Sequence, residues 1–137
     1  MLDTNIVSHI MQGRDVWLLA RLSQIPVGQV VMSSVTLAEL EYGLHRKGQP
    51  VRLKNAHFLV LLRMDVLPWD EPVARCYGLL WHRLEAQGIN LSDLDIMIAA
   101  HAVSTNTTLV SRDNAFAAVA NRQPDSFLHT HLQLVVW

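Results

Sequence analysis

Cysteine is almost missing from this chain. The single residue, Cys76, excludes any disulfide within it and fits a reducing compartment. It lies in the run ARCYGLLWHRL, which reads as a helix face, and no supporting constellation stands beside it. It therefore reads as a structural buried thiol rather than a nucleophile. Lysine is nearly as scarce, with only Lys47 and Lys54. Charged residues make up 17% and the formal net charge is −1, so no overall field draws in a polyanion. Any nucleic acid would have to be met by a local basic patch. The longest apolar runs, FLVLL from Phe58 and IMIAAHAV from Ile96, fall well short of a bilayer span. The opening MLDTNIVSHI has no basic segment followed by an apolar stretch, so it does not read as a signal peptide. Repeats, low-complexity tracts and linkers rich in glycine or serine are also missing. These absences lead to the expectation of a cytoplasmic protein with no membrane partner.

What is present is a good supply of core. Half of the 137 residues are hydrophobic, enough for one ordinary domain over 1–137. Gln29–Ser33 reads as a strand, and Ser34–His45 as a helix with Ser34 at its cap. Pro50–Leu62 reads as a helix, and Met64–Leu67 as a short strand ended by Pro68. Asp70–Ala86 reads as a long helix stopping near Gly88, and Ser92–Val103 as another. Thr107–Ser111 is a strand rich in β-branched residues, and Leu132–Val136 a candidate last strand. Strands alternating with helices predict an α/β fold, a three-layer α/β/α sandwich around a mostly parallel central sheet. Parallel strands end at one edge, and ligands of such sheets bind there.

Four acids fall where that edge is expected. Asp3 follows a short apolar start and precedes a helix-like stretch. Glu39 lies just over one turn into the helix after Gln29–Ser33. Asp95 opens the helix before the Thr107 strand, and Asp113 follows that strand closely. Carboxylate oxygens are what a hard divalent cation takes. Each acid also has a structural reading. Asp3 is placed to cap a helix, with Thr4 or Asn5 as alternatives. Asp95, three after Ser92, suits a variant of the capping box, while Asp93 in the same turn suits the helix dipole. Asp113 suits a turn in Ser111-Arg112-Asp113-Asn114. Glu39 is harder to explain structurally, since its helix is apolar nearly all round and so reads as largely buried. A buried carboxylate needs a partner, either Arg46 or a cation.

Four blocks of the chain stand out, LDTNI at Leu2–Ile6, SSVTLAELEYG at Ser33–Gly43, LDIMIAAHA at Leu94–Ala102 and TLVSRDNAF at Thr108–Phe116. Together they resemble the PIN domain, and more closely the VapC-type toxins of bacterial toxin–antitoxin pairs. They occur in the family's order, and each carries its acid. The resemblance implies a magnesium- or manganese-dependent endoribonuclease whose metal and catalytic residues are Asp3, Glu39, Asp95 and Asp113. It implies polar supports at Asn5 and Ser111, with Thr4 shaping the first turn. It also implies products with a 5′-phosphate and a 3′-hydroxyl, a homodimer or larger toxin–antitoxin assembly, and a cognate antitoxin that blocks the site. Asp95 rather than Asp93 matches the family pattern. His101, well over a turn further along, reads as a packing or hydrogen-bonding histidine. Met1 nearly abuts Asp3, so the first strand is expected to be very short.

The chemistry expected of such a site is in-line attack of water on phosphorus, with a cation neutralising developing charge. Arg112, Arg46 and Lys47 are the candidate RNA contacts, with Arg112, beside Asp113, the better placed; the stretch His45-Arg46-Lys47 with Arg52 and Lys54 reads first as a solvated loop between two helices. Other acid-cluster classes fit less well. A phospho-receiver domain wants a lysine after a late strand, and both lysines lie earlier. A haloacid-dehalogenase-type phosphatase wants an aspartate two after Asp3, where Asn5 stands. A non-enzymatic or differently targeted PIN-like module is the remaining alternative.

Overall fold

The computed structural model describes residues 1–116 and 132–137. Contacts divide the chain into two compact units, Leu2–Pro68 and Trp69–Trp137 with Met1.

The Leu2–Pro68 unit opens with helix α1 (Thr4–Gln12). Asp3 caps it, Oδ1 accepting from the Ile6 amide at 2.7 Å. Gly13 ends it at φ 67°, a left-handed turn that glycine adopts without strain, and its N–H donates to the carbonyls of His9 and Ile10. The buried stripe is Ile6, Val7, Ile10 and Met11. Helix α2 (Val16–Ser23) has no counterpart in the sequence-based reading; it is capped by Asp15 and buries only Leu18 and Leu22. Strand β1 (Val31–Ser33) leads directly into α3 (Ser34–Arg46), whose cap is Ser33 rather than Ser34: the Ser33 hydroxyl accepts from the Val35 amide at 3.1 Å. Helix α4 (Val51–Arg63) follows Pro50, which is extended and begins no helix itself. Strand β2 (Asp65–Leu67) returns parallel to β1, with Val31 opposite Asp65 and Ser33 opposite Leu67. Leu2 adds a single parallel bridge to Met32, so the first strand is as short as expected. The core of this unit is Leu2, Ile6, Val7, Leu18 and Met32, all essentially without solvent contact; α1 packs on α3 and α4.

In the second unit, α5 (Glu71–Ala86) packs on α6 (Asp93–Ser104). Asp70 and Ser92 are their caps and stand just outside them. Pro72 sits in the first turn of α5, where a missing N–H leaves no bond unmade. Helix α6 is buried almost all round through Ile96, Ile98, Ala99, Ala100, His101 and Ala102. Cys76 on α5 is half-buried, not enclosed, and burial raises its thiol pKa. Strand β3 (Leu109–Val110) pairs parallel with β4 (Leu134–Val135). The α/β class therefore holds, and all the described strand pairs are parallel. No helix among the described residues is long and apolar enough to cross a membrane.

Candidate acidic site

Neighbouring parallel strands end at the same edge, and in the Leu2–Pro68 unit this sets the helix that Asp3 caps beside the helix that carries Glu39. Leu2 lies beside Met32, so α1 and α3 start from the same end. The Thr4 hydroxyl, at the first position of α1, donates to Glu39 Oε2 at 2.6 Å. The Thr4 oxygen also lies 3.4 Å from the hydroxyl of Thr36, which is fully buried one turn before Glu39. Asp3, next to Thr4, is only 2% exposed. Thr4, Asn5, Glu39 and Lys47 line one hollow of about 130 Å³.

This arrangement corrects the reading of Glu39. Its helix is not buried all round: only Val35, Thr36, Leu40 and Leu44 are enclosed, while Tyr42 is 65% exposed. Glu39 itself is half-buried, and its partner is Thr4, not Arg46. The apolar sequence misled because α3 has one covered face, and Ala38 and Tyr42 lie off it. Lys47 does share the hollow of Glu39; Arg46 stands exposed outside it.

In the other unit each acid is tied to its own helix start. Asp95 Oδ2 accepts from the Ser92 hydroxyl at 2.6 Å, and the Asp95 amide donates back to the Ser92 oxygen at 3.2 Å. A capping box would send the acid to the backbone amide of the cap residue; aspartate is one methylene too short and takes the hydroxyl. Asp113 Oδ1 accepts from the Ala115 amide at 2.8 Å, and the Asp113 amide donates to the buried Ser111 hydroxyl at 3.0 Å. Asn114–Phe116 are helical, so this too is a helix start. Arg112 is exposed, and its Nε donates to the Trp137 carbonyl. His101 is enclosed within α6; burial lowers its pKa and the charge of Asp70 partly offsets this.

Asp3, Asp95 and Asp113 therefore perform the local helix-start bonding of the structural reading. At Asp95 and Asp113 that bonding engages one carboxylate oxygen. Glu39 Oε1, Asp95 Oδ1 and Asp113 Oδ2 have no hydrogen bond among the described residues. Hard oxygen donors oriented through one atom and open at the other fit a magnesium or manganese ion in chemistry. Among the described residues, no group of three or more His, Cys, Asp or Glu side chains is placed to hold a metal ion. Thr36 is the polar neighbour that the sequence-based reading passes over. Its signal is spacing, since it stands three residues before Glu39 and so shares its side of α3.

Residues 1–122 match the family model of the PIN domain. Ribonuclease VapC2 of Haemophilus influenzae is 36% identical over 113 residues, covering 82% of this chain and 85% of that relative. The tRNA(fMet)-specific endonuclease VapC of Shigella flexneri is 33% identical over 113 residues, with the same coverage of 82% and 85%. The crystal structure of VapBC2 from Rickettsia felis bound to a DNA fragment from their promoter matches with a TM-score of 0.84 at 25% identity, covering 100% of this chain and 97% of that one.

Proposed function

The chain belongs to the PIN domain family, and on that premise we infer that it is an endoribonuclease, the toxin of a toxin–antitoxin pair. The observation that carries this is the likeness to ribonucleases over about four fifths of the chain. Its substrate is RNA. Because the Shigella relative is specific for tRNA(fMet), an initiator tRNA is the first substrate to try.

The catalytic groups are Asp3, Glu39, Asp95 and Asp113, and the cation they serve is magnesium or manganese. When bound, such an ion neutralises charge on the phosphoryl oxygens and makes water more acidic. The residues of the chain supply orientation. Thr4 fixes Glu39 through Oε2 and leaves Oε1 free to act as a donor. Ser92 does the same for Asp95, and Ser111 with the Ala115 amide for Asp113. Asn5 and Lys47 face the Glu39 hollow, with Lys47 as a cation for the RNA backbone. Arg46 and Arg112, both exposed, are further backbone contacts.

The partner is an antitoxin protein, and a homodimer within a larger toxin–antitoxin assembly extends the same reading. Support comes from the apolar surface of α4, where Phe58, Leu59 and Leu62 are each more than 60% exposed. Beside it lies a hollow of about 310 Å³ lined by residues including Ile10, Leu22 and Leu59. Exposed apolar surface of this kind is characteristic of partner sites. Expression of the chain alone should arrest bacterial growth, and co-expression with the small neighbouring open reading frame should rescue it. Arrest that persists with Asp95→Asn would contradict the catalytic assignment of Asp95, and harmless expression of the intact chain would contradict the toxin role.

A further inference from the structure

Two arginines that the acidic site does not use face a second hollow. Arg14, just past α1, and Arg52, in the first turn of α4, line a depression of about 220 Å³ together with Pro50. Both are exposed, and neither makes an ion pair or hydrogen bond among the described residues. The first turn of α4 between them holds no acid. Two unpaired guanidiniums at one depression repel each other unless an anion lies between them.

This hollow adjoins the one at Glu39. The two share Met11, Gln12 and Leu53 as lining residues. Along α1, Thr4, Ser8 and Gln12 recur every four residues, so they form one ridge on the helix surface. The Gln12 amide reaches the Ser8 hydroxyl at 3.4 Å. A polar rail therefore runs from the Thr4–Glu39 bond to Arg14. The helix is nine residues long, or about 13 Å. A phosphate at the arginines is thus too far away to be the one undergoing attack at Glu39.

We propose that Arg14 and Arg52 form a phosphate-binding subsite, which holds the RNA backbone at a nucleotide remote from the scissile bond while the strand lies along the α1 ridge. Guanidinium forks bind phosphate oxygens in pairs, and arginine rather than lysine is the residue suited to that geometry. Met11 and Leu53 supply an apolar floor between the two ends, against which a ribose or base can lie. The proposal rests on the ribonuclease reading and adds to it a direction for the strand and a site that discriminates by length.

The test uses the full chain carrying Glu39→Gln, so that bound RNA is not cut. Affinity for a short uridine oligoribonucleotide is measured by fluorescence anisotropy over a salt series. Adding Arg14→Ala and Arg52→Ala should weaken binding about 10- to 100-fold at low salt. It should also reduce the slope of log affinity against log salt by about 1.4, since each cation removed from a single-strand phosphate lowers the slope by about 0.7. Arg14→Lys with Arg52→Lys should keep most of the slope and lose part of the affinity. Arg75→Ala, which removes an exposed cation already paired with Glu71 on α5, is the control and should change neither. An unchanged slope and affinity in the double alanine variant overturns the proposal and leaves the ribonuclease reading intact. Failure of the wild-type chain to cleave, together with failure of Glu39→Gln to bind, overturns both. If the double variant loses affinity for a polyglutamate peptide while RNA binding is unchanged, the arginines serve an acidic protein and the RNA subsite is wrong.

Discussion

Asp3 tests the separation of charge from structure, because it has a visible structural role. Its Oδ1 accepts from the Ile6 amide at 2.7 Å, in a position only 2% exposed. Asparagine caps a helix about as well as aspartate, with a carbonyl oxygen in the same place. Asp3→Asn should therefore keep the cap and remove the charge, whereas Asp3→Ala removes both. Loss of a cap costs about 0.5–2 kcal/mol, and a buried amide left without a partner belongs in the upper half of that range, about 1–2 kcal/mol. Unfolding entropy near 2.1 cal/mol/K per residue gives about 0.29 kcal/mol/K for 137 residues. The alanine variant should then melt about 3–7 °C lower, and the asparagine variant close to wild type. Both should lose RNA cleavage by at least about 100-fold, since each removes a hard anionic donor. Thermal melts followed by circular dichroism, with cleavage of a labelled RNA, measure the two effects separately. Cleavage by Asp3→Asn at the wild-type rate refutes the catalytic role. A melting temperature equally lowered in both variants refutes the capping role.

Thr4→Val removes the hydroxyl that holds Glu39 Oε2 at little change of volume. Because Glu39 is half-exposed, the missing bond should be worth about 1–1.5 kcal/mol, or roughly 10-fold in cleavage rate, with a small change in melting temperature. Saturating magnesium, at about 100 times its dissociation constant, should stabilise the wild-type chain by about 2.7 kcal/mol, or roughly 9 °C, and should not stabilise the fourfold variant lacking Asp3, Glu39, Asp95 and Asp113. Gly78 lies inside α5 with nothing within 4 Å of where a Cβ would stand. Gly78→Ala should raise the melting temperature by about 2–3 °C, from the gain of about 0.5–1 kcal/mol for alanine over glycine in a helix. Burial holds the pKa of His101 below its usual value, so as pH falls below 6.5 the unfolded chain takes up this proton first. Stability should fall with pH below that point until the folded His101 itself titrates, and His101→Asn should flatten that part of the melting-temperature profile.

The elements that could be read early were those whose ends are marked by chemistry. Asp70 and Ser92 announce the starts of α5 and α6 within a residue, because their caps depend on local bonding alone, and Pro50 marks the start of α4 through its fixed backbone angle without a capping bond. Helix α2 escaped notice because Val16 and Trp17 project into solvent at 74% and 84% exposure, which breaks the apolar periodicity that Leu18 and Leu22 would have shown. The acids were legible as residue types in family order. Their hydrogen-bond partners were less so: that Glu39 takes its bond from Thr4 depends on Leu2 lying beside Met32, a meeting of distant parts of the chain. The partial exposure of Glu39 was misread for the same reason, since which face of α3 is covered is decided by α1, β1, β2 and α4 and not by α3's own composition.

Internal cutting of RNA by carboxylates acting on a divalent cation can be tested directly with one substrate. Purified wild-type protein should be incubated with an end-labelled initiator tRNA in the presence of magnesium or manganese, and in parallel with excess chelator. The expected result is discrete internal cuts that leave 5′-phosphates, that vanish with chelator, and that return when the ion is restored. Cleavage indifferent to chelator would contradict the metal chemistry, and an intact RNA across a panel of tRNA, ribosomal and messenger substrates would contradict the ribonuclease itself.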